Sequence, residues 1–222
     1  MKTLTVEKLR SLEAVAARLG LSERVLIENA SSNLAVIIDS LHLGKKVLVV
    51  AGKGNNGADA LACARKLVSR NYIAVCGIVS DIDVCEEVAF QKSLLDSMRV
   101  PVFTLGERSL KRLSSLSADC DFILDGLLGI GIRGIVSPLV QKAIKAINDS
   151  KRPVVSCDIP SGLSPDEGIV SGSCVQAAYT ITFLAPKPGF FINQGPQACG
   201  EVIVADIGIS RDALEAIERN GR

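Results

Sequence analysis

The sequence predicts an α/β fold in which a mostly parallel sheet is covered by helices on both faces, with a helical extension at the N-terminus. Three observations carry that reading. Apolar runs of β-branched character, such as "KKVLVVAG" and "RPVVSC", have the continuous hydrophobicity of strands buried on both faces. Segments of helical periodicity separate them, and strand–helix–strand order of this kind builds right-handed parallel units. No repeat, low-complexity tract or long polar linker interrupts the 222 residues, so 1–222 is expected to form a single domain.

Taken in order, two amphipathic helices come first, in "MKTLTVEKLRSLEAVAARLG" and "LSERVLIENASSNLAVIIDSL". Ser22 is a natural N-cap for the second, where Leu26, Ala30, Leu34, Ile37 and Leu41 recur at helical spacing. The strand "KKVLVVAG" is followed by the helix "GADALACARKLVSR", with Ala60, Leu61, Ala64, Leu67 and Val68 on one stripe. The alternation continues through the strand "YIAVCGIV", the helix "VCEEVAFQKSLLDSM", the short strand "VPVFTL", the brief helix "SLKRLSSLS" and the strand in "CDFILDGLLG". Ser137 caps and Pro138 opens the helix "SPLVQKAIKAINDS". The strand and loop "RPVVSCDIPSGL" follow, and "AAYTITFLAPKPG" and "GEVIVADIGI" supply the last two strands.

Composition excludes several classes of function. Hydrophobic residues make up 48% and charged residues 22%, as in a folded protein with a sizeable core. Lys plus Arg is 25 against Asp plus Glu 24, so nothing suggests nucleic acid as a partner. The seven cysteines form no C-x-x-C pair and mostly sit in apolar runs, which reads as buried, reduced thiols. His42 is the only histidine, which disfavours a zinc or iron site; in "DSLHLGKK" it reads as a surface or cap residue after a helix. Neither a signal peptide nor a segment of transmembrane length is visible, so a cytoplasmic protein is expected.

In parallel sheets ligands bind beyond the carboxyl ends of the strands, and four loops there carry the polar residues. The first, "GKGNNGAD", contains Gly52-x-Gly54-x-x-Gly57 between a strand and a helix, the context of a dinucleotide fingerprint. Asp81 and Asp83, at the end of the next strand, stand where a dehydrogenase would hold a ribose. However, Asn55, Asn56 and Asp59 offer more side-chain oxygens than a pyrophosphate loop needs, and suit a polar ligand or a hard cation. In "ILDGLLGIGIRG", Asp125 ends an apolar strand before Gly129, Gly131 and Gly134. In "VVSCDIPSGL", Asp158 does the same before Pro160, Ser161 and Gly162. Asp125 and Asp158 thus fall at equivalent points on two strands and are expected to face one crevice with the first loop. In "TITFLAPKPGFF", Lys187 sits between two prolines that stiffen the turn. Taken alone it reads as an exposed loop lysine, whereas near carboxylates in a partly dry cleft it is an acid/base partner.

The ordered set "GKGNNGAD", "DGLLGIG", "DIPSGL" and "FLAPKPG" resembles the NAD(P)HX epimerase family, the N-terminal domain type of the YjeF proteins, over most of the chain. The resemblance implies a Rossmann-like three-layer α/β/α sandwich. It also implies a role in repairing hydrated nicotinamide cofactors, by interconverting the R and S epimers of NADHX and NADPHX. A dinucleotide is then the substrate rather than a hydride carrier, and a companion dehydratase acts on the S form. By motif, Asn55, Asn56, Gly57, Ala58, Asp59, Gly129, Ile130, Gly131, Ile132, Arg133, Gly134 and Ile135 would contact substrate. Asn56, Asp125 and Ser161 would hold one potassium ion per subunit. Asp158 would bind substrate and, with Lys187, transfer protons. A homodimer is implied, and because the chain ends at Arg222 the dehydratase is expected on a separate protein. Departures from the family pattern are Ala58 and Ala60 in place of glycines, Gly126 where alanine is frequent, and Ile130 where threonine is frequent. A Cβ at Ala58 is expected to crowd a bound phosphate.

Two other readings compete. One is a non-catalytic dimerising scaffold of the same fold, associated with a dinucleotide or RNA; it predicts loss of the Asp and Lys, yet both are present. The other is an NAD-dependent dehydrogenase, disfavoured because neither Tyr72 nor Tyr179 has a lysine four positions later and no catalytic histidine is in view.

Overall fold

The apolar runs assemble into one seven-stranded sheet in the computed structural model, which describes residues 3–131, 136–170, 172–208 and 210–220. Helices α1 (Val6–Arg18) and α2 (Glu23–Ser40) precede β1 (Lys46–Ala51), α3 (Asn55–Val68), β2 (Ile73–Val79), α4 (Glu86–Ser97) and β3 (Val102–Leu105). Then come α5 (Arg112–Ala118), β4 (Phe122–Gly126), α6 (Pro138–Asp149), β5 (Val154–Cys157) and β6 (Tyr179–Phe183). A 3₁₀ turn at Pro188–Phe190, α7 (Gly195–Cys199), β7 (Glu201–Ala205) and α8 (Arg211–Asn220) complete the chain. The strand order is β3-β2-β1-β4-β5-β6-β7 and every pairing is parallel.

Three layers follow from the alternation of side chains along each strand. Val47, Val49 and Ala51 of β1 face α2, α3 and α4, packing with Leu34, Leu61 and Val88. Leu48 and Val50 face the opposite way, toward Leu113 of α5 and Ala143 and Ile144 of α6. Chain direction across the sheet reverses between β1 and β4, which makes their carboxyl ends the topological switch point.

Several expectations hold locally. Ser22 and Ser137 cap α2 and α6 by accepting from the amides of Val25 and Val140. His42 is exposed with φ +52°, closing α2 in the left-handed conformation. Six of the seven cysteines are buried and Cys85 is half-buried, and burial pushes the Cys76 thiol up to about 12.

Other details differ. The helix expected from Gly57 begins at Asn55, so the paired asparagines form its first turn. The 3₁₀ turn, α7 and α8 were not foreseen; each is short or weakly apolar and gains its place by packing, as Leu214 of α8 does against α1.

A polar network ties α2 to α3 and α4. The Glu28 carboxylate accepts from Arg65 Nη2 at 2.5 and 2.6 Å, Lys66 Nζ at 2.8 Å and Gln91 Nε2 at 3.1 Å. Burial alone would raise Glu28, but these hydrogen bonds outweigh it and hold the carboxyl at about 2. A folded-state value depressed in this way gives stability that is present above the unfolded value and lost as pH falls through it toward about 2. Urea unfolding between pH 5 and 2 is therefore expected to show a falling midpoint, and Glu28→Gln is expected to flatten that fall while lowering the plateau at pH 7.

Candidate active site

A cavity of about 750 Å³ opens at the switch point. Gly54, Asn55, Asn56 and Asp59 line it from the start of α3, and Leu127 to Gly131 from the loop after β4. Asp158 enters after β5, Phe183, Leu184 and Lys187 after β6, and α1 and α2 close the remaining side.

Gly54 is the N-cap of α3 and supplies no side-chain acceptor, and no acidic residue occupies the first turn. The Gly57 amide donates to the Gly54 carbonyl at 2.9 Å, which leaves the amides of Asn55 and Asn56 to meet an anion, and the helix dipole favours one there. The loop before them has no room to spare. Gly52 donates to the carbonyl of Gly126 at 2.9 Å, and a Cβ on Gly52 would collide with the carbonyl oxygen of Leu127. Asn55 Nδ2 donates to Glu23 at the rim, while Asn56 Nδ2 donates to the Leu128 carbonyl at 2.8 Å.

Asp158 stands in the left-handed region with φ +65°, an uncommon setting that aspartate tolerates better than most residues. Its amide donates to Ile181 at 2.8 Å, so the end of β5 is pinned to β6 and the side chain turns toward that neighbour. Asp158 Oδ1 accepts from Lys187 Nζ, from Thr182 Oγ1 at 3.1 Å and from the amide of Phe183 at 3.1 Å. Lys187 Nζ also donates to Thr182 Oγ1 at 2.6 Å and lies 5.9 Å from the centre of the Phe190 ring. Lys187 is 1% exposed, so the exposed-lysine reading is overturned: the flanking prolines and the 3₁₀ turn at Pro188 fold the ammonium inward onto Asp158. Asp158 Oδ2 has no hydrogen bond among the described residues.

Asp59 projects from α3 toward the same pair without a hydrogen-bond partner among the described residues. Burial, then the charges of Asp158 and Glu13, push its carboxyl well above the usual range.

Asp125 sits differently from its expected place. It lies near the end of β4, as expected, but in register with Ser156 rather than with Asp158. It is fully buried behind the cavity wall, so the two aspartates are not equivalent and do not face one crevice. Its oxygens accept from Ser161 Oγ at 2.6 Å, Ser161 N at 3.0 Å, Ser156 Oγ at 2.9 Å and Leu127 N at 3.2 Å. Burial raises its carboxyl, and these hydrogen bonds pull the other way. Ser161 Oγ in turn accepts from Leu128 N at 2.9 Å, so Asn56, Asp125 and Ser161 all converge on the Leu127–Leu128 segment.

The expected substrate contacts divide accordingly. Asn55, Asn56, Asp59, Gly129, Ile130, Gly131 and Asp158 line the cavity. Gly57 and Ala58 do not, because they lie on the buried face of the first turn of α3. The Ala58 methyl packs in the core and is not part of the cavity lining. Ile132, Arg133, Gly134 and Ile135 lie outside the described residues. Asp81 is no part of the cavity lining; its Oδ1 accepts from the Glu107 amide at 3.2 Å, which removes the ribose site of the dehydrogenase reading.

The family described as "YjeF-related protein N-terminus" matches residues 23–189, three quarters of the chain. The chain belongs to this family. Among YjeF-type relatives, the NAD(P)H-hydrate epimerase of Elusimicrobium minutum is 32% identical, covering 98% of this chain and 100% of the relative. That of Limosilactobacillus fermentum is 37% identical over 85% of this chain and 88% of its own. A bifunctional NAD(P)H-hydrate repair enzyme of Moorella thermoacetica is 32% identical, with 89% of this chain spanning 38% of that protein. The crystal structure of the yeast protein Ynu0 shares the YjeF-type fold with a TM-score of 0.82 at 22% identity, over 98% of this chain and 93% of that one.

Sequence reading missed the contribution of α1 to the site. Leu9, Arg10, Glu13, Ala14 and Ala17 line the cavity, although they precede the matched region. The helical spacing of positions 10, 13, 14 and 17 marks one face, but nothing local says that this face meets the ends of strands more than 100 residues away.

Proposed function

We propose that the protein is an NAD(P)H-hydrate epimerase, an isomerase that interconverts the R and S epimers of NADHX and NADPHX. One observation carries the reading: an uncapped helix N-terminus, suited to a pyrophosphate, opens into the same cavity as a buried Asp158–Lys187 ion pair. A dinucleotide anchored on α3 would bring its hydrated ring toward Asp158. Lys187 and Thr182 fix Oδ1, which leaves Oδ2 as the oxygen that meets substrate. Apolar walls from Leu21, Leu26 and Phe183 exclude bulk water from the reacting end.

Asn56, Asp125 and Ser161 fit a potassium ion by their chemistry. All three offer oxygen donors, and Asp125 is a fully buried carboxylate without a cationic partner among the described residues. Bound there, the ion would supply the missing countercharge and stiffen the segment from Leu127 to Gly131. We also expect a cytoplasmic homodimer acting with an NAD(P)HX dehydratase. No helix among the described residues is long and apolar enough to cross a membrane.

The test starts from purified R-NADHX and S-NADHX, followed by chromatography with and without protein in potassium and in sodium buffer. The expected result is acceleration over the spontaneous rate from both sides to one common ratio, faster in potassium. An unaccelerated approach to equilibrium overturns the epimerase and favours the scaffold reading, and equal rates in both salts overturn the potassium site.

A further inference from the structure

Helix α1 is bound to the catalytic loop rather than merely resting near it. The Leu4 amide donates to the carbonyl of Pro186, the residue before Lys187, at 3.0 Å. The Val6 amide donates to Asp166 Oδ1 at 3.0 Å. Leu9, Leu12 and Ala16 pack against Ala185, and half-buried Leu184 and Ile130 join the same cluster. This docking turns Glu13 into the cavity with Asp158, Lys187 and Asp59. Glu13 has no hydrogen bond or ion pair among the described residues; of the other cavity carboxylates, Glu23 and Asp158 are engaged and Asp59 is not.

Resting on the epimerase reading, we infer that Glu13 is a further catalytic residue, the general acid that protonates the departing ring hydroxyl. Hydration leaves that hydroxyl on a ring carbon bonded to nitrogen. In the step, the C–O bond breaks with its electron pair on oxygen, oxygen takes the Glu13 proton, and water departs. The nitrogen lone pair closes the C=N bond. Water then adds to the opposite face, the electron pair returns to nitrogen, the proton is released to solvent on that face, and the Glu13 carboxylate is reprotonated from solvent. Nothing is oxidised or reduced, and no other reactant is needed.

The surroundings suit an acid. Glu13 is exposed to the open cavity, yet partial desolvation there, followed by the charge of Asp158, raises its carboxyl; Lys187 and Arg10 oppose this, and Glu23 adds to it. Asp59 also faces Glu13, from α3. Asp158 is already committed to Lys187 and is the poorer donor.

Glu13→Gln keeps size and hydrogen-bonding capacity but cannot give up a proton in this way. The experiment measures kcat, KM and the pH profile for both epimers with wild type and Glu13→Gln, with melting temperatures as a check on α1 docking. General acid catalysis is worth roughly 10²–10⁴-fold, so kcat is expected to fall at least about 100-fold with KM changed less than about threefold. The alkaline limb of the kcat profile, where wild type loses its acid, is expected to vanish. An active wild type with Glu13→Gln within about threefold of it in kcat overturns this inference alone. So does a kcat loss that leaves the alkaline limb intact. A wild type that does not interconvert the epimers overturns both this inference and the reading beneath it.

Discussion

Asp158→Asn is expected to abolish epimerisation and to lower the melting temperature on the order of 10 °C. The second effect follows from the first residue's partner. Lys187 is buried to 1% exposure and its ammonium donates to Asp158 and Thr182. Removing one member of a buried pair leaves an uncompensated charge, at a cost of about 3–5 kcal/mol. In a chain of this length each kcal/mol moves the midpoint by roughly 2–4 °C. Lys187→Met should be damaging for the same reason, since it strands the carboxylate beside Thr182. The double variant Asp158→Asn/Lys187→Met removes both charges and is expected to recover most of the lost stability. It should nevertheless remain inactive, with kcat down by at least about 10²–10⁴-fold. Thermal melts and epimerisation rates of the three variants separate the structural part of the pair from the chemical part. A single variant that melts like wild type would mean that the pair is not buried in solution. A double variant with substantial activity would remove Asp158 and Lys187 from the chemistry.

What the sequence discloses and what it hides divide along physical lines. The strand β1 is legible because its burial runs without interruption from Val47 to Ala51, which is what a run of apolar residues between two helical layers must do. Helix α6 is legible because Ser137 and Pro138 act within one turn of themselves. Asn56, Asp158 and Lys187 are found through motif order. Their environments are not, because those are set by residues far away in the chain. Lys187 reads as exposed until the 3₁₀ turn folds it onto Asp158, 29 positions earlier. Asp125 reads as a rim residue because the end of β4 cannot be fixed to within one residue from an apolar run that passes into Gly126. Glu13 is invisible for the same reason as Lys187: its neighbours arrive only when α1 docks on the loop at Pro186.

The unusual residues around the first loop gain a meaning from packing, and a strong prediction follows. The resembled family favours glycine where Ala60 stands and alanine where Gly126 stands, and the two positions face each other. A Cβ on Gly126 would run into the Ala60 methyl and lie 2.9 Å from the carbonyl oxygen of Asn56. Ala60 thus fills the space that a methyl at position 126 would need from the other side. Gly126→Ala alone is expected to destabilise by about 1–3 kcal/mol through overpacking. Because the crowded atoms include the Asn56 backbone, it should also blunt the rate response to potassium. Ala60→Gly alone costs up to about 1 kcal/mol, from the flexibility of glycine inside a helix. Combining them should relieve the clash, so that the double variant is more stable than the sum of the singles by at least about 1 kcal/mol. Urea unfolding of the four proteins measures that coupling directly. Simple additivity would mean that the methyl groups do not compete for one space, and the alanine at position 60 would then need another cause.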